Sequence, residues 1–208
     1  MADLAALTAA IEAGDRATAT AITRAAIDEG GAAEDILAAM TAAMDEVGRR
    51  FAANEIYIPE MLISARAMKE SVALLEPLLA AAGIQPAFTA VIGTVKGDLH
   101  DIGKNLVAMM WRGANIEVVD LGANVPAERF VEAAREHGAR LVGLSALLTT
   151  TMVGMRDIVA AVRSAGLEAK VIVGGAPLTQ AFADQIGADG YAPDAASAVE
   201  VATRLVRA

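Results

Sequence analysis

The chain has no cysteine and only two histidines in 208 residues. Disulfides, thiolate metal sites and cysteine nucleophiles are therefore excluded, and any metal centre has few imidazoles to draw on. Aromatic residues are scarce, 3% against a hydrophobic share of 55%, so Ala, Val, Leu, Ile and Met must fill the core. No apolar run reaches the roughly 18 residues of a membrane span, and no basic segment precedes a signal-like core, so no membrane partner and a cytoplasmic location are expected. Basic residues are outnumbered, leaving a net charge of −9. A general nucleic-acid binder carries a basic face for phosphates, which makes nucleic acid an unexpected partner and points to small molecules and other proteins.

What is present divides by period. Up to about residue 85 the pattern is helical. Ile36, Met40, Met44, Val47 and Phe51 recur every three or four positions, as do Met61, Ala65, Met68, Val72 and Leu75, which places each set on one helical face. Pro59 suits a first turn, Gly83 a stop, and Asp15 the cap of one of two shorter preceding helices. The expectation is a four-helix bundle over 1–85, a short defined linker, and a second domain over 86–208.

In the second domain, short runs at 88–94, 116–121, 141–147 and 169–173 are rich in Val, Ile and Leu. Each is followed by a Gly, Pro or Ser cluster and a helical pattern. Near-continuous apolarity is what a parallel strand covered on both faces requires. A weaker fifth run at 189–192 precedes a helix capped by Asp194. These features predict an α/β fold with a five-stranded parallel, flavodoxin-like (Rossmann-type) sheet of order 2-1-3-4-5. In that order a crevice opens beyond the carboxyl ends of the first and third strands, and the loops 98–103, 145–151 and 174–177 converge on one rim.

The first of these loops carries Asp98, His100 and Gly103. A carboxylate two residues from an imidazole fixes its tautomer and frees the other nitrogen for a metal. No second His, Cys or carboxylate cluster accompanies it, whereas zinc needs three or four protein ligands. His137 stands at a helix end, where a dipole contact is the expected role. One histidine suffices only if a macrocycle brings the remaining ligands, and a corrin suits this loop better than a haem, which sits in an aromatic-lined pocket. Gly103 and the pair Gly174-Gly175 would let a large group approach the backbone, or else serve close packing and a tight turn. Ser145, Thr149, Thr150 and Thr151 offer hydroxyls to a polar tail, with Thr150 read as a cap or idle.

Asp98-x-His100-x-x-Gly103, Ser145-x-Leu147 and Gly174-Gly175, in this order, resemble the cobalamin-binding signature of the methionine-synthase type. With the helical bundle before it, the whole chain is similar to stand-alone corrinoid proteins of methyltransferase systems. The resemblance implies cobalamin or a related corrinoid bound base-off and His-on, with His100 as the lower cobalt ligand, Asp98 its hydrogen-bond partner and Thr151 the third member of the relay. It also implies that Ser145 and Thr149 meet the nucleotide tail and that Gly103, Gly174 and Gly175 make room for it. Asp101, Ile102 and Leu147 count among the cofactor contacts, and Met61 and Leu62 among those of a bundle that caps the corrin.

The function implied is a methyl carrier that accepts a methyl group on cobalt(I) and passes it on from methyl-cobalt(III), without turnover alone. Its partners would be a substrate-specific methyltransferase, an acceptor methyltransferase using tetrahydrofolate or a thiol, and a reductive activation protein. A cobalamin-dependent sensor is the alternative. A module of a carbon-skeleton mutase and a cofactor-free interaction domain are more distant rivals.

Overall fold

The structure is a computed structural model and describes residues 2–207. It forms two compact units, one running to Pro86 and including Arg112–Asn115, the other comprising Ala87–Trp111 and the chain from Ile116 onward.

Four helices build the first unit: α1 Leu4–Glu12, α2 Arg16–Asp28, α3 Ala33–Ala52 and α4 Ile58–Ala81. Asp15 caps α2 by accepting from the Thr18 N–H at 3.1 Å, and Pro59 lies in the first turn of α4. Ile36, Met40, Met44 and Val47 of α3 are buried, as are Met61, Ala65, Met68 and Leu75 of α4. The apolar stripes therefore face inward, as their spacing requires. Polar ties cross the bundle where helices approach closely: the Thr8 hydroxyl donates to the Ala39 carbonyl, and the Ser64 hydroxyl to that of Glu12, each at 3.0 Å.

The second unit contains β1 Thr89–Thr94, α5 Ile102–Gly113 as far as Trp111, β2 Glu117–Asp120, α6 Ala127–Glu136, β3 Leu141–Ser145, α7 Thr149–Met152, α8 Met155–Ser164, β4 Lys170–Gly174, α9 Gln180–Ile186, β5 Gly190–Ala192 and α10 Ala195–Arg207. The five strands are parallel in the order β2-β1-β3-β4-β5, the expected flavodoxin-like arrangement. Val91, Val142, Val171 and Val173 on one face pack with Phe130 of α6, Ile158 and Val162 of α8 and Ala183 of α9. On the other face Trp111 of α5 lies over Gly143, and its indole N–H donates to the Ala198 carbonyl of α10 at 3.0 Å.

Glycine makes this aromatic packing possible. A Cβ at Gly93 would stand 2.8 Å from the Phe130 ring, and one at Gly143 would stand 2.7 Å from that of Trp111. The central strands β1 and β3 are buried almost throughout, whereas β2 is only partly covered. The sequence expectation of strands covered on both faces therefore needs correcting at β2, because an edge position leaves one side open.

Candidate cobalt-ligand site

Register builds the site. Pairing of Thr94 with Ser145 and of Ser145 with Gly174 brings the carboxyl ends of β1, β3 and β4 level, so the loops that follow leave side by side. Asp98 lies beneath the first loop, with no exposed surface. Its Oδ1 accepts from the His100 backbone N–H at 3.0 Å and lies 2.8 Å from the ring Nδ1. Its Oδ2 accepts from the Leu147 N–H at 2.8 Å, the Leu148 N–H at 3.3 Å and the Thr151 hydroxyl at 2.7 Å. One carboxylate thus ties the β1 loop to the β3 loop.

Burial alone would push the Asp98 carboxyl up. The Thr151 hydroxyl, the N–H groups of His100 and Leu147 and the His100 ring outweigh it and hold the group well below the ordinary carboxylate range. An ionised carboxylate can only accept, so Nδ1 of His100 carries a proton, and in the neutral ring the lone pair is then on Nε2. The His100 side chain is 52% exposed, so this lone pair can be reached. A buried anion beneath a half-exposed imidazole is the donor arrangement expected of a metal-ligating histidine.

The surroundings of the ring suit a broad flat group. Leu99 of the β1 loop and Ile102 at the start of α5 are 75% and 73% exposed, and Leu147, Leu148 and Val153 beyond β3 are also exposed. Exposed apolar side chains gathered on two adjoining loops mark a binding surface. Gly103 adds open space: a Cβ there would meet nothing within 4 Å. Among the described residues, no cluster of three or more His, Asp or Glu could hold a metal by itself. The donor set is therefore one imidazole on loops that also expose apolar side chains, which fits a metal already enclosed by a macrocycle.

Of the other residues singled out in the sequence, Asp101 is exposed and accepts from the Asn105 amide at 3.1 Å. Ser145 ends β3 half-buried, and Thr149 is exposed at the start of α7. Thr150 follows it within the helix, whose cap position belongs to Leu148, so Thr150 does not cap it. Gly174 and Gly175 are shaped by the protein itself. Gly175 has φ 136°, and a Cβ there would lie 1.9 Å from the Ala146 carbonyl oxygen. At that position the tight-turn explanation accounts for the glycine. In the helical unit, Met61 is 1% exposed within the bundle core, while Leu62 is 38% exposed. Packing thus accounts for Met61, and Leu62 is the member of the pair presented at the surface, near Tyr57 and Ile58.

Sequence reasoning missed Thr94, whose buried hydroxyl donates to the His100 carbonyl at 3.0 Å. It also missed the loop after β2. Lys104, 2% exposed, places its ammonium 2.6 Å from both carboxylate oxygens of Asp120. A lysine directly after Gly103 on an otherwise amphipathic helix was the available signal.

Comparison with known proteins agrees with this geometry. Residues 88–200 match a family model described as B12 binding domain, and residues 4–76 match a second model of that description. A dimethylamine corrinoid protein of Methanosarcina acetivorans is 44% identical over 80% of this chain and 79% of its own length. A corrinoid protein of Desulfitobacterium hafniense is 38% identical over 93% of this chain and 92% of its own. Among solved structures, a cobalamin-binding protein from Desulfitobacterium hafniense superposes with TM-score 0.82 at 31% identity, covering 99% of both chains. A chain of the methanol:cobalamin methyltransferase complex MtaBC from Methanosarcina barkeri gives TM-score 0.85 at 30% identity, over 98% of this chain and 80% of that one. With matched domains spanning the bundle and the sheet, and relatives of this identity along most of its length, the chain belongs to the B12-binding corrinoid proteins, and a cobalamin or related corrinoid is its cofactor.

Proposed function

We propose that this protein is a corrinoid methyl carrier working between methyltransferases, with His100 as the lower ligand of cobalt. The observation that carries the reading is the buried Asp98 carboxylate, which holds the Nδ1 side of a half-exposed imidazole and turns Nε2 outward. When bound, the corrinoid supplies a nucleophilic metal centre able to take up and return a methyl group. The chain supplies orientation and tuning. Asp98 raises the donor strength of the His100 ring, and the Thr151 hydroxyl fixes the far oxygen of the same carboxylate.

The apolar collar of Leu99, Ile102, Leu147, Leu148 and Val153 would lie against the macrocycle and keep water from its lower face. The hydroxyls of Ser145 and Thr149 are available to the polar tail, with Asp101 at the loop edge. Donor activation is assigned to a partner enzyme. The relatives named for dimethylamine and methanol systems support methyltransferase partners of this class. Acceptor transfer to a folate or thiol, and reactivation by a reducing protein, complete the proposed cycle.

Protein mixed with hydroxocobalamin and freed of excess ligand is expected to be red, with a base-off spectrum whose His-dependent features vanish in His100→Ala. A colourless wild-type protein would overturn the reading. Methyl transfer in the presence of a partner methyltransferase supports the carrier, and a light-dependent change of assembly without transfer would favour a sensor.

A further inference from the structure

The end of β2 and the β2–α6 loop touch the His100 loop on both of its flanks. Asn124 stands in the left-handed region at φ 58°. Its side-chain oxygen accepts from the Gly97 N–H at 2.8 Å, and its own N–H donates to the Asp98 carbonyl at 2.9 Å. The Lys96–Gly97 peptide before Asp98 and the Asp98–Leu99 peptide after it are therefore held by one residue. Gly97 is itself left-handed at φ 84°, in a turn closed by the Asp98 N–H donating to the Val95 carbonyl at 3.1 Å, so this stretch is held by single bonds rather than a strand ladder.

Beyond His100, Asp120 holds Lys104 on the first turn of α5 and accepts from the Gly122 N–H at 2.9 Å. At the base of the His100 loop, Thr94, the last residue of β1, donates its N–H to the Gly122 carbonyl and accepts through its own carbonyl from the Val125 N–H, each at 2.9 Å. The β2–α6 loop thus fixes the frame on which the imidazole stands, and Asn124 is its contact nearest to Asp98.

We propose that Asn124 is a positioning residue for the axial imidazole: by clamping Gly97 and Asp98 it sets the placement of the carboxylate that orients His100. This rests on the reading of His100 as the cobalt ligand. Asp98 spends its side chain on the ring, Leu147, Leu148 and Thr151, so its backbone is located by other groups, the Val95 carbonyl at its N–H and Asn124 at its carbonyl. Asn is suited to that task, because it enters the left-handed region at little cost and offers an acceptor there. Glycine would keep the backbone path without the acceptor, and Asp would keep both.

The test uses the full chain loaded with hydroxocobalamin and reduced to the cobalt(II) state at one fixed pH. Electron paramagnetic resonance then reads the splitting from a single axial nitrogen. In Asn124→Gly the ratio of nitrogen-bound to unbound cobalt is expected to fall about tenfold, the lower end of what loss of a ligand-orienting partner costs. Asn124→Asp is expected to restore it to within about twofold of wild type. A purely structural role would change thermal stability and leave that ratio unaltered, which would overturn the proposal. If the splitting is missing already in wild type, or persists in His100→Ala, the ligand assignment itself fails instead. Should Asn124→Gly not fold, amide exchange in the unmodified apo protein decides: a Gly97 N–H slowed about tenfold or more supports the clamp, and exchange as fast as in an unfolded chain overturns it.

Discussion

Asp98 does more than any other residue at this site, because one buried anion satisfies four donors besides the imidazole it orients. Asn at this position would keep the shape but replace one accepting oxygen with an NH2 facing groups that already donate. Asp98→Asn is therefore expected to lower stability by about 2 kcal/mol, the scale of hydrogen bonds to a charged group, read from denaturant unfolding of the apo protein. The pH dependence follows from the same contacts. The folded carboxyl is held below its ordinary value of 3.8, so its stabilisation is complete above that value and is lost as pH falls towards the folded pKa. Wild-type protein is expected to lose stability progressively below about pH 4, and Asp98→Asn to show a flatter profile in that window. Parallel profiles would show that the network does not depend on the charge.

Among the elements, β3 is tightly constrained at Gly143, since Trp111 rests directly on it while the indole is tied to Ala198. The ring cannot retreat without breaking a buried hydrogen bond. Gly143→Ala is accordingly expected to cost about 1–3 kcal/mol, as overpacking of a filled core does, with a change in the fluorescence of the single tryptophan. A variant as stable as wild type with unchanged emission would contradict this packing.

The elements were readable to different depths for the same physical reasons. Strands β1, β3 and β4 announce themselves as apolar runs because both faces are covered. The run at 116–121 overstates β2, which is an edge strand reduced to Glu117–Asp120. The motif around His100 was legible because Asp98 and His100 are two residues apart, and Thr151 followed from resemblance. The pairing of Lys104 with Asp120 and the reach of Asn124 to Gly97 depend on the β1–β2 register and on a left-handed residue, neither of which periodicity reports. Helical spacing does place Met61 on the buried face, and that position outweighs the cofactor contact suggested for it.

For the whole molecule, cofactor binding and stability are one equilibrium. A ligand that binds only the folded state adds about 2.7 kcal/mol when present at a hundred times its dissociation constant. For a chain of this size that corresponds to a rise of about 5–10 °C in Tm. Two contributions should separate within that rise. The apolar collar and loop hydroxyls remain in His100→Ala, so binding is expected to weaken rather than disappear. A tenfold loss of affinity removes about 1.4 kcal/mol, roughly half the effect. Without ligand, His100→Ala is expected to unfold within about 0.5 kcal/mol of wild type, because the ring is half exposed and its removal leaves Asp98 with its other four donors. Thermal scans of both proteins, with and without hydroxocobalamin at one fixed concentration, test this directly. A cofactor-induced shift that is the same in both would mean that the imidazole contributes nothing to holding the corrinoid, and the Asp98 network would then be only a brace between two loops.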